Sequence, residues 1–84
     1  MVTKEEIAES HPDVLFADGF DEAIIGITRR CGMEDVVAYD YSKAVEILIE
    51  RDGMDYSEAV EYMEFNVVGG YVGEFTPIFI ETEF

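Results

Sequence analysis

Asp18, Asp21 and Glu22 lie within five residues in the stretch "DGFDE". Carboxylates this close can hold a hard divalent cation. The calcium-loop pattern also needs acids at alternate positions, a Gly at the sixth and a distant Glu, and "DGFDE" does not supply it. The plainer expectation is a turn at Asp18-Gly19 with Asp21 and Glu22 facing water. Arg29-Arg30 is the one paired positive charge. Guanidinium groups at a strand end can take a phosphate or a carboxylate, and the competing expectation is that they neutralise Glu34 or Asp35. His11 precedes Pro12 at a helix end, where an imidazolium would favourably meet helix carbonyls. With one His and one Cys in the chain, a zinc site is not expected. Cys31, in a turn near the arginines, would need His11 as its base for catalysis, and no local spacing pairs the two.

A second stretch, "EFNVVGGYVGEFTPIF" (64–79), resembles a ligand-cradling loop. A phosphate loop wants Lys with Ser or Thr after its glycines. Here Tyr71, Val72, Gly73 and Glu74 follow Gly69-Gly70, and acid in place of base argues against phosphate. The mechanical expectation is a left-handed Gly69 or Gly70 that stops a helix, then a turn at Gly73-Glu74 into a strand. Glu64, Asn66 and Glu74 stay as candidate binding residues, with the Asn66 amide able to brace the turn. Tyr39, Tyr41, Tyr56, Tyr62 and Tyr71 join an apolar body to a polar tip. They suit a binding surface or the boundary of a small core equally. The candidate binding set is Asp18, Asp21, Arg29, Glu64, Asn66, Tyr71 and Glu74; no residue is assigned as catalytic or metal-ligating, and no motif calls for a cofactor.

The elements that must position these residues alternate in type. "VTKEEIAESHP" predicts a helix with Thr3 and Glu6 as a capping box, Val2 and Ile7 as its staple, and an end at Ser10 or His11 before Pro12. "VLFADGFDE" fits a short strand or an irregular buried segment. "AIIGITRR" (23–30) and "VVAYDY" (36–41) predict an antiparallel hairpin, with Gly26 marking a bulge or a close neighbour. "DYSKAVEILIERDG" predicts a helix capped by Asp40 or Ser42 and stopped at Gly53. "MDYSEAVEYMEFNVVGG" predicts another, with Asp55 and Glu58 as a capping box and Met54 and Ala59 as the staple. "TPIFIETE" predicts a closing strand. The order is α-β-β-α-α-β. The fold class is α+β: a small three-stranded, largely antiparallel sheet with helices packed on one face. The last strand joins either the edge of the hairpin or the space between its arms.

The chain has 84 residues, one small domain (1–84) that buries roughly 60–65% of its unfolded surface. Twenty Asp and Glu face five Lys and Arg, for a formal net charge of −15. That balance repels nucleic acid and anionic lipid and favours basic partners. The acids are spread singly or in pairs from Glu5 to Glu83 rather than gathered in a tail. One cysteine excludes an internal disulfide. No apolar run approaches the ~18 residues of a membrane span, and "MVTKEEIAES" lacks a signal-peptide core. A cytoplasmic protein is the expectation.

"ADGFDEAIIGI", followed by "YDYSKAVEILIERDGMDYSEAVEYMEFNVVGGYVGEFTPIFI", resembles a family of small, functionally uncharacterised proteins encoded by bacteriophages and by bacteria that carry prophages. The resemblance covers roughly residues 13 to 80, and the ending is its most specific part. The matching positions are Asp18, Gly19, Asp21, Glu64, Asn66, Gly69, Tyr71, Gly73, Glu74, Thr76 and Pro77. It implies a phage origin, with the host cytoplasm as the setting, and no mechanism.

Three functions follow as expectations. The first is a non-catalytic interaction protein that occupies the basic surface of a host or phage protein, with DNA mimicry as its sharp form. The second is a small-ligand or metal-binding protein or enzyme, centred where Asp18–Glu22, Arg29 and the Gly69–Glu74 turn would converge. The third is a self-associating module that forms a homodimer through a bare sheet face or edge.

Overall fold

The computed structural model describes residues 3–29, 31–70 and 73–82. Helix α1 (Lys4–Ser10) opens the chain. Its first turn is capped by Thr3, whose hydroxyl accepts the Glu6 amide at 3.2 Å and donates to the Glu6 carboxylate at 3.2 Å. The helix ends at Ser10, with His11 as C-cap, because the chain must leave α geometry before Pro12. The staple residue Val2 lies outside the described residues. The segment that follows is irregular, as its mixed pattern allows, and buries Val14 and Phe20. A single 3-10 turn, Asp21–Ala23, leads into strand β1 (Ile24–Thr28).

Strand β1 pairs antiparallel with β2 (Val36–Asp40), and the register slips between Ile24 and Gly26. That slip is the bulge expected at Gly26. Asp40 then caps helix α2 (Tyr41–Asp52), accepting the Lys43 amide at 3.2 Å. Gly53 stops α2 with φ 69°, a left-handed conformation that glycine adopts without the strain a Cβ brings. Helix α3 (Tyr56–Tyr62) starts at the Asp55/Glu58 capping box, where both reciprocal bonds form (2.8 and 3.2 Å). It continues without a break into a π-helical segment, Met63–Val68. Strand β3 (Ile78–Ile80) closes the sheet in the order β1-β2-β3.

The expected α+β domain with a three-stranded sheet is therefore present. Its last ladder is parallel, with Ala38, Tyr39 and Asp40 opposite Ile78, Phe79 and Ile80. Two helices lie between β2 and β3 and carry the chain back to the starting end of the sheet, which is what a parallel pair requires. The sheet is thus mixed, and β3 takes the outer edge of β2.

One core holds the layers together. Val37 and Tyr39 of β2 point to the same face and join Ile7 of α1, Leu48 of α2, and Ala59 and Met63 of the last helical run in a single buried cluster. Val36 and Ala38, on the other face of β2, are buried too. The central strand is therefore removed from water on both sides.

Candidate binding groove

The irregular segment 15–20, the last helical run and the start of β3 border one groove of about 520 Å³. Phe16, Phe20, Val67 and Phe79 supply apolar walls, and Asp18 and Asn66 bring polar atoms to it. A second groove of about 420 Å³ adjoins it, and Tyr62 and Asn66 line both. Glu58, Glu61 and Phe65 border this second groove.

Three tethers fix the walls. Tyr39 is fully buried, stacks on Phe79 with centroids 5.1 Å apart, and its hydroxyl accepts the Ala17 amide at 2.8 Å. This bond ties the 15–20 segment to the sheet. Burial pushes the Tyr39 phenol above its ordinary pKa, against the opposing pull of the Ala17 bond. Arg51, at the end of α2, donates to the Gly19 carbonyl at 2.7 Å and lies over the Phe20 ring at 5.7 Å. Its remaining nitrogens bind Asp52 (3.1 and 3.0 Å) and hold that carboxyl below its usual range. Gly19 has φ 89°, a backbone conformation that favours glycine. A Cβ there, 2.7 Å from the Arg51 Nη1, would also push that guanidinium off the Gly19 carbonyl. On the other wall, the Tyr41 hydroxyl donates to Glu64 at 2.9 Å. Burial, then this bond to a carboxylate, pushes the Tyr41 pKa up to about 12.

The glycines of "EFNVVGGYVGEFTPIF" work differently from the expectation. Neither Gly69 nor Gly70 is left-handed; Gly69 has φ −76°. Gly69 is there for space, because a Cβ would lie 2.8 Å from the Glu64 carbonyl oxygen. That carbonyl sits five positions back, where the wider π-helical turn brings it underneath. The left-handed residue is Gly73 (φ 113°). There the chain turns toward the strand as expected, and the Thr76 hydroxyl (2.7 Å) and amide (3.2 Å) both donate to the Gly73 carbonyl. Thr76 therefore braces the turn that Asn66 was expected to brace. Among the described residues the Asn66 side chain makes no hydrogen bond and borders both grooves.

The expected site residues are only partly gathered. Asp18 and Asn66 share the larger groove. Asp21 is exposed on the far side of the same turn, 3.7 Å from Lys4, in a cleft it shares with Glu50 and Arg51. Glu64 faces Tyr41, and Glu74 is exposed. Tyr71 lies outside the described residues. Arg29 is exposed at the end of β1 and lines neither groove, so it does not meet the "DGFDE" turn. Asp35, one of its expected partners, faces the His11 ring instead, at 3.3 Å. The cations that meet "DGFDE" are Lys4, beside Asp21, and Arg51, on the Gly19 carbonyl; neither was singled out from sequence. The signal available was Arg51-Asp52 just before the Gly53 stop. Among the described residues no group of three or more His, Cys, Asp or Glu is arranged to hold a metal ion. No helix among them is long and apolar enough to cross a membrane. None of their polar or charged residues is buried.

No protein-family model, no curated protein and no solved structure matches this chain.

Proposed function

We propose that the protein acts without catalysis, as an acidic binder of a protein with a basic surface. The observation that carries this reading is the placement of charge. The 20 carboxylates face only five cationic side chains, and no described carboxylate is buried. Acid–base catalysis relies on groups whose pKa is shifted by burial or by close like charges. The one carboxyl held clearly off its usual range, Asp52, owes this to its exposed ion pair with the neighbouring Arg51, not to burial. Most of the described acids are exposed on the surface. The likeness to phage-encoded proteins adds a setting, a host or phage protein as target, and DNA mimicry is the strict form of the reading.

Affinity capture from a bacterial lysate tests it. A basic protein retained at low salt and released as salt rises is the expected result, since exposed charge pairs are screened beyond a Debye length of about 10 Å at ~0.1 M. Its displacement by duplex DNA would support the mimicry form. Recovery of no partner at low salt would count against the whole reading.

A further inference from the structure

We propose that the paired grooves beside Tyr62 and Asn66 are where the partner docks, and that the docking element is a cationic amphipathic segment. This rests on the acidic-binder reading and deepens it. Apolar surface gathers around the grooves. Phe65 is 78% exposed, and Leu15 and Tyr62 are 39% and 40% exposed. A phenylalanine this open contributes nothing to the core, and it is carried on the π-helical segment, a rare geometry that is frequent at functional sites. Large exposed apolar residues grouped beside a concavity mark interaction surfaces.

Charge selects the occupant. Asp18, Glu58 and Glu61 border the grooves, and none of them belongs to an ion pair among the described residues. A second copy of the chain would bring the same acids and another net charge of −15, so self-docking is opposed. Nucleic acid and anionic membranes are repelled for the same reason. A protein segment with Leu or Phe on one face and Lys or Arg beside it satisfies both the apolar walls and the acidic rim. This is the helix-in-groove mode of recognition.

Three synthetic peptides test the proposal by fluorescence anisotropy. The first is amphipathic, with Leu and Phe on one face and Lys and Arg on the other. The second keeps the charge but replaces Leu and Phe by Ser. The third keeps the apolar face but replaces Lys and Arg by Gln. The expected order is tight binding of the first and weak binding of the other two. Phe65→Ala, which removes an exposed side chain and leaves the fold intact, weakens the first peptide about 10- to 30-fold. The double variant Asp18→Asn/Glu61→Gln weakens it and flattens its salt dependence. The control double variant Glu5→Gln/Glu9→Gln, of equal charge and lining neither groove, leaves it unchanged. Equal binding of the first two peptides, or equal weakening by both double variants, overturns the groove while leaving an acidic binder in place. Failure of both cationic peptides to bind sinks the acidic-binder reading as well. A wild-type dimer that Phe65→Ala converts to monomer assigns the groove to self-association and overturns the proposal.

Discussion

Tyr39 and Tyr41 are two positions apart on the chain and do different work. The Tyr39 hydroxyl is the partner described for the Ala17 amide, in a side chain with no exposed surface. Tyr39→Phe removes the partner of that half-buried amide, and the loss should cost about 1–2 kcal/mol, below the upper end for a fully buried donor. The Tyr41 hydroxyl meets Glu64 near the surface, where water can replace either partner, so Tyr41→Phe should cost about 0.5–1 kcal/mol. Urea denaturation of the two variants should rank them in that order; the reverse would mean that the Ala17 bond does not anchor the 15–20 segment. The phenols also carry a pH signature. Folding raises the Tyr41 pKa from 10.0 to about 12. A group raised in the folded state adds stability that is complete below its unfolded pKa and disappears as pH climbs through the folded one. The window is therefore pH 10 to about 12, and Tyr41→Phe should lessen the alkaline loss of stability there.

At the scale of elements, most of the architecture was legible because it is written in local chemistry. Asp55 with Glu58, Asp40 before α2, Gly53 after it and Gly26 in β1 each act as their residue types require. The π-helical segment was not legible. Over Met63–Val68 a wider helix shifts the apolar pattern too little to stand out from α-helical spacing, and what stabilises it is tertiary: the Tyr41–Glu64 bond and the packing of Met63. The parallel ladder was hidden for a related reason, since strand direction depends on where two helices return the chain. Arg51 was missed because its contact to Gly19 spans 32 positions. Gly69 separates the two accounts of the joint. If its role is space beneath the Glu64 carbonyl, Gly69→Ala forces the backbone apart and costs about 1–3 kcal/mol, the range of overpacking. Gly70 is not left-handed and its added Cβ would sit 3.6 Å from the nearest atom, an ordinary contact. Gly70→Ala should then be neutral or stabilising by up to about 1 kcal/mol. Thermal unfolding of both variants decides it: a left-handed stop at Gly70 would make the second substitution the costly one.

For the molecule as a whole, stability and binding should respond to salt in opposite senses. The three Lys and Arg ion pairs described, Lys4–Asp21, Lys43–Glu46 and Arg51–Asp52, are all exposed, and such pairs contribute little to stability. Against them stands the mutual repulsion of a surface with net charge −15. Compaction brings those carboxylates closer than they are in the unfolded chain, so their repulsion favours unfolding. Salt shortens the Debye length from about 30 Å at ~0.01 M to about 10 Å at ~0.1 M and relieves the repulsion more than it weakens three local pairs. The melting temperature should therefore rise across that range; a gain of about 1 kcal/mol corresponds to roughly 4–8 °C in a domain of this size. Attraction to a basic partner is screened by the same ions and should fall over the same range. Calorimetric melting and partner affinity, measured in the same salt series, should cross. A melting temperature that falls with salt would mean that the few ion pairs outweigh the repulsion. A partner affinity indifferent to salt would shift the weight of recognition from the acidic rim to the apolar walls around Phe65.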